Sequence, residues 1–388
     1  MVQDKGRLVV GAAPVGAARV VARLAWVDNL KIAVIAGVIV AHAATAYILD
    51  IDWYYDIERT SSPLWEPLVG LPVLLGAVFG LGPLFLLGGV FAASSLARKG
   101  PGRFVHGRLL RLGVPLVLFV AVIDPLTDYL SDLPEGMASR PWPYLAPGSE
   151  VRDAGPLWFV AALLSFSLVY AAWRWRRPAT GGGGAVLRPR QLLLAATVIA
   201  AASFAVRLRW PWTTDTFLVL RWQEWPQGAV LFTLGVLWGE RGWRGRLPVA
   251  WAHRCGQVAA AGLAAVSLLT AATSLADEEL DRLYGGWHWQ SLAFAVLEGA
   301  VAVSLSLWMV AWFGRRWTQQ GRLATRASRG AYAAYVLHAP VLVLASLAAW
   351  PLPLPPELKF VLVAAAGVVA TFSVGWTVTR SALIARFV

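Results

Sequence analysis

Charge and cysteine are what this 388-residue sequence has least of. Asp, Glu, Lys and Arg together make up 14% of it, against about a quarter in an ordinary soluble domain, so a soluble globule and a charge-rich disordered chain are both excluded. The single cysteine, Cys255, excludes a disulfide framework and a cysteine-based metal site, and leaves the redox compartment unmarked. Acids are scarcer than bases, 22 Asp and Glu against 34 Lys and Arg, for a net charge of +12. In a soluble protein that excess would point to nucleic acid, so its distribution along the chain has to be read first.

Apolar residues are abundant: 58% of the chain is hydrophobic, mean hydropathy is +0.59, and there are 21 tryptophans. A hydrocarbon core is crossed by about 20 mostly apolar helical residues. Ten stretches meet that need, near 30–49, 70–91, 109–130, 155–173, 191–206, 223–239, 255–276, 291–313, 331–350 and 358–378, the sixth being short and borrowing from its flank. The fold class expected is therefore all-α, a polytopic membrane protein with about ten transmembrane helices. Residues 1–27, with Lys5, Arg7, Arg19 and Arg23, read as a basic cytoplasmic tail, and 28–388 as one ten-helix membrane domain.

The segments around 98–111, 174–190, 241–254 and 315–329 hold nineteen Arg or Lys, with Glu240 the one acid at their edges. The acids gather in alternate segments: Asp50, Asp52, Asp56, Glu58 and Glu66, then Asp132, Glu135, Glu150 and Asp153, then Asp277, Glu278, Glu279 and Asp281. By the positive-inside rule this alternation puts both termini in the cytoplasm of a plasma-membrane protein. The positive balance is then mostly topological, and a nucleic-acid partner loses its support. The 181–184 glycine run reads as a flexible connector, and Gly76 with Gly80 as a weak signal of close helix approach.

An ionisable group inside a bilayer is costly unless it is paired or wet, which marks His42, Asp124, Glu298 and His338 as candidates. Counted along their spans, the first three lie roughly 10 Å below the outer surface, and His338 about 10 Å above the cytoplasmic edge. One imidazole and two carboxylates at a shared depth can form an acid/base cluster. Asp124, which precedes Pro125, reads equally as a helix-breaking cap. Lys31 and His42 are eleven residues apart, about 16 Å of rise and about 1100° of turn, so they share a face. Arg108 and Arg111, at i and i+3, share another, and paired guanidinium forks suit phosphate. Trp210, Trp212, Trp222, Trp225, Trp287 and Trp289 read as an interfacial belt as readily as a sugar-stacking surface.

The run from Arg23 through Trp26, Val27, Asp28 and Asn29 to Lys31, followed by His42, resembles the opening of the acyltransferase 3 family, integral-membrane enzymes that modify surface polysaccharides and related acceptors. Arg108-Leu109-Leu110-Arg111 is similar to that family's Arg-x-x-Arg motif. The 85–91 stretch, Pro156-Leu157-Trp158-Phe159 and residues 328–341 also match its patterns. Two departures stand out: Ala41 and Ala43 flank His42 where a second histidine is usual, and Lys31 replaces the commoner arginine.

The resemblance implies transfer of an acyl group, acetyl foremost, from cytoplasmic acyl-CoA as co-substrate to a hydroxyl of a surface glycan, glycolipid or small membrane-associated acceptor, with no metal. His42 would be the general base and Glu298 the group that orients His42 or the acceptor. Arg108, Arg111 and Lys31 would hold the donor, while His338 either lines the donor cavity or is a core histidine bonded to a backbone carbonyl. A covalent acyl-histidine relay is a second mechanism. The competing class is a proton-coupled transporter or flippase with His42, Asp124 and Glu298 as its relay.

Overall fold

The computed structural model describes residues 24–387 except 50, 52, 56–57, 61, 63, 135–139, 147–152, 178–187, 213–219, 242–246, 277–279 and 383. The expected tail therefore lies outside the described residues up to position 23, and the first described helix begins at Ala25.

In hydrocarbon every backbone N–H and C=O has to be satisfied within the chain, and among the described residues the answer is helix throughout, with no strand. The long helices are α1 (Ala25–Tyr47), α2 (Trp65–Phe79) running into α3 (Gly82–Lys99), a segment from Pro101 to Ser131 made of α4 (Pro101–Arg108), α5 (Val114–Leu118) and α6 (Asp124–Ser131), then, past the short α7 (Trp142–Leu145), α8 (Trp158–Arg176) and α9 (Pro189–Arg209). There follow α10 (Trp225–Glu240), α11 (Val249–Leu275), the short α12 (Asp281–Tyr284), α13 (Trp289–Arg316), α14 (Arg322–Ala349) and α15 (Pro356–Val378). Among the described residues nine helical segments are long and apolar enough to span a bilayer. The remaining expected span, the sixth, is α10, whose 16 residues borrow a 3₁₀ turn, Trp222–Glu224, at their start.

The helices run past the expected boundaries chiefly at their basic ends, through Arg98 and Lys99, Arg174 and Arg176, Arg315 and Arg316, and Arg322 to Arg329. Hydropathy stops at the first charge, whereas backbone hydrogen bonding continues while the cationic heads reach for water. The connection between α13 and α14 lies against the start of α1. Asn29 Nδ2 donates to the carbonyls of Trp317 (2.8 Å) and Gln319 (3.0 Å), and Gln320 Nε2 donates to Asn29 Oδ1 at 3.0 Å.

The third segment is not a plain α-helix. Two five-residue π turns, Leu109–Gly113 and Phe119–Ile123, each end two residues before a proline, Pro115 and Pro125. A proline has no N–H to give and its ring presses on the carbonyl four residues back, so widening the preceding turn removes the clash. The second of these turns delivers Asp124 into the interior.

Close helix crossings use glycine, though not at Gly76, where an added Cβ would meet nothing within 4 Å. At the α3–α10 crossing a Cβ on Gly235 would come within 2.0 Å of the Leu86 carbonyl oxygen, and at the α14–α15 crossing one on Gly330 within 2.3 Å of the Trp376 nitrogen. Both obstacles are backbone, which cannot rotate aside. Gly235→Ala is accordingly expected to destabilise the protein by about 1–3 kcal/mol, whereas Gly76→Ala should be neutral or gain up to about 1 kcal/mol from helix propensity. Thermal unfolding in detergent separates the two.

Candidate active site

The site forms where α1, α6 and α14 meet beneath the loop that follows α1. His42 lies five residues before the end of α1, about 7.5 Å along its axis, at the acidic end of the bundle. Its imidazole stacks on the Trp53 indole, with centroids 4.0 Å apart and planes 14° apart. Trp53 belongs to the loop, which is pinned on α15: Lys359, itself buried, sets Nζ 2.6 Å from Glu58 Oε1 and donates to the Trp350 carbonyl at 2.9 Å. The Thr60 N–H closes the loop onto the Tyr47 carbonyl at 2.9 Å.

His338 stands beside His42, with ring centroids 5.1 Å apart. This corrects the depth count, which set the two histidines apart. α14 begins at Arg322 rather than 331, and its 28 residues give about 42 Å of helix, more than a bilayer needs, so counting from a charged edge misplaces its middle. His338 is fully buried, and its Nδ1 meets the Tyr335 carbonyl at 2.6 Å. A carbonyl only accepts, so Nδ1 carries the hydrogen and Nε2 is left as a lone-pair acceptor with no partner among the described residues. The backbone-bonded histidine foreseen as an alternative is thus present, and it also borders the catalytic candidate.

Asp124 is buried and fully engaged rather than a surface cap. The Tyr54 hydroxyl donates to its Oδ1, and the Asp153 N–H donates to Oδ2 at 3.0 Å. Burial and the facing Asp124 charge hold the Tyr54 phenol well above its ordinary range, so it remains a donor. Gly155, at φ 37°, makes room for this pair, because a Cβ there would lie 3.0 Å from the Tyr54 hydroxyl. The adjacent Pro156 carbonyl accepts from the buried Tyr335 hydroxyl, tying the 156–159 motif to α14.

Glu298 departs from expectation. Its partners are Arg207, with Nη2 2.8 Å from Oε2, and Ser203, whose hydroxyl donates to Oε1 at 3.2 Å. Among the described residues no contact joins it directly to His42, whose imidazole stacks on Trp53 instead. Asp124 and Glu298, level in the depth count, thus have separate partners, Tyr54 and Arg207.

At the basic end, α1 is one unbroken helix, which keeps Lys31 and His42 on a common face. Lys31, Val38 and His42 form a half-exposed seam flanked by buried Val34, Ile35 and Ile39. Lys31 Nζ lies 3.7 Å from Asp28 Oδ1. The Arg108–Arg111 pair is altered by the π turn that begins at Leu109. Arg108 is half-buried with its guanidinium 5.1 Å from the Phe104 ring centroid, and Arg111 is exposed. They remain close enough to act on each other electrostatically.

A family model described as an acyltransferase domain matches residues 24–380. The chain belongs to the acyltransferase 3 family. It is a multi-pass membrane protein of that family, and the match takes in Lys31, His42, Arg108, Arg111, Glu298 and His338 alike. No curated protein and no solved structure matches it.

In this acyltransferase 3 chain, sequence reasoning overlooked Arg207, Trp53 and Tyr54. For Arg207 a signal existed. The segment 207–222 carries Arg207, Arg209 and Arg221 against Asp215, so this one acidic-end connection breaks the charge alternation expected of every loop. An arginine on the wrong side of that pattern has a task other than topology. For Trp53 and Tyr54 there was none, because a loop that folds back over a helix end leaves no periodicity.

Proposed function

We propose that the protein transfers an acyl group from acyl-CoA to an acceptor hydroxyl, with His42 as general base. Family membership and the half-exposed seam leading from Lys31 to His42 support this reading, and the seam carries it. The bundle sits with its basic end in the cytoplasm, in the plasma membrane, where acyl-CoA is available. Arg108 and Arg111 take the coenzyme A phosphates, and Lys31 guides the donor into the seam. Trp53 holds the His42 ring in place, and His338 lines the same space. His42 takes the proton from the acceptor hydroxyl as its oxygen attacks the thioester carbonyl. The C–S bond breaks, and the proton passes to the departing coenzyme A thiolate.

Purified protein in lipid nanodiscs, given acetyl-CoA labelled in the acetyl group, should label an acceptor from a membrane extract of its own cells. Arg108→Ala and Arg111→Ala should each raise the KM for acetyl-CoA about 10- to 100-fold, the worth of one charge-assisted hydrogen bond, with a smaller change in kcat. Substrate flux in liposomes that needs a proton gradient but no acyl donor would instead establish a transporter.

A further inference from the structure

Resting on the acyltransferase reading, we infer that His338 is the positioning residue of His42: its Nε2 accepts a hydrogen bond from one His42 ring nitrogen, which fixes the His42 tautomer and leaves the other nitrogen bare for the reaction. Three ring distances carry the geometry. The His42 centroid lies 4.0 Å from that of Trp53 and 5.1 Å from that of His338, and Trp53 lies 6.4 Å from His338. These lengths close into a triangle whose angle at His42 is nearly a right angle. Trp53 covers one face of the imidazole, with planes 14° apart, so His338 stands at the edge of the ring rather than over its second face. The His42 and His338 planes differ by 26°. Two ring nitrogens facing each other across that spacing stand about 2.9 Å apart, an ordinary N–H···N distance.

The hydrogen-bond inventory points the same way. His338 Nδ1 gives its hydrogen to the Tyr335 carbonyl, so Nε2 is a lone pair, and it is buried with no donor among the described residues. An orphaned buried acceptor is costly and calls for a partner. A half-turn of the His42 ring about its Cβ–Cγ bond exchanges nitrogen and carbon at the shared edge without displacing either ring, so that ring can present an N–H there. His338 is itself supported. The Tyr335 ring lies 5.6 Å from the His338 ring, and the Tyr335 hydroxyl donates to the Pro156 carbonyl, which ties this turn of α14 to the 156–159 motif.

This is the part that Glu298 was expected to play. Tyr335 carbonyl, His338, His42 and acceptor hydroxyl form one line of hydrogen bonds, the arrangement by which a third group sets the tautomer of a base. As His42 takes the acceptor proton it becomes cationic, and its hydrogen bond to Nε2 strengthens. His338 gains and loses no proton, and the proton on His42 leaves with the coenzyme A thiol.

Solid-state NMR of the full-length protein in lipid bilayers, with its five histidines labelled with nitrogen-15, tests the pair without relying on turnover. The expected wild-type spectrum shows a through-bond correlation between ring nitrogens of two histidines, which disappears in His42→Ala. It shows a single neutral tautomer for His42, and His338→Leu should show both. Absence of the correlation, or an unchanged His42 tautomer in His338→Leu, overturns the pairing, and the wild-type spectrum decides alone if that variant does not fold. In acetyl transfer, His338→Leu should lower kcat about 10- to 100-fold, the usual cost of losing the group that orients a working imidazole, while the KM for acetyl-CoA changes less than threefold. His338→Gln, whose Oε1 accepts in place of Nε2, should restore most of that loss, which a merely space-filling role would not require. Equal kcat in the two variants, or a loss that falls on KM instead, overturns the pairing. Paired histidine signals in a protein that transfers no acyl group keep the pair and reject the transferase.

Discussion

His42→Ala is expected to lower acyl transfer about 10²- to 10⁴-fold, the usual worth of a positioned general base, while the protein stays folded. Alanine is the best helix former, and the change removes ring contacts with Trp53 and His338, each about 0.5–1.5 kcal/mol beyond area burial, from a partly exposed position. The KM for acetyl-CoA should move little, because the donor contacts proposed for Arg108, Arg111 and Lys31 are left in place. A second readout separates the two chemistries open to an imidazole. If His42 removes a proton, wild-type protein quenched in acid after exposure to labelled acetyl-CoA retains no label. If it carries the acyl group as an acyl-imidazole, label stays on wild type and is absent from His42→Ala. Activity within threefold of wild type in His42→Ala removes His42 from either mechanism.

Much of this arrangement is legible in the sequence because the bilayer imposes simple rules. Helix positions follow from apolar length and the grouping of the loops from charge, so Lys31 and His42 could be set on one face of one helix by counting. Depth was less legible. The count sets Asp124 and Glu298 level with His42, yet one is bound by Tyr54 from a folded loop and the other by Arg207 from α9. Shared depth fixes one coordinate of three, and the partner of a buried charge is chosen by the other two. His338 shows the converse: the charged start of α14 suggests a cytoplasmic depth, while the 28-residue helix passes its imidazole beside His42. The π turns before Pro115 and Pro125 were legible in principle, since two prolines ten residues apart in one span demand relief, but the form of that relief was not.

Arg207→Ala is expected to cost about 3–5 kcal/mol of stability, the penalty for stranding one member of a buried ion pair. Its guanidinium is enclosed by Trp212 and Phe294, so no water stands ready to replace it beside Glu298. The double variant Arg207→Met with Glu298→Leu should recover most of that loss, because hydrophobic groups of similar volume avoid the desolvation of both charges. A double-mutant cycle by thermal unfolding in detergent measures the coupling directly. The two variants then separate fold from function. Equal stability in the double variant and wild type would mean that the bundle alone does not require the pair, so that its retention has a ground other than the fold. Should Arg207→Ala instead lie within about 1 kcal/mol of wild type, Glu298 is not held there as an unscreened charge.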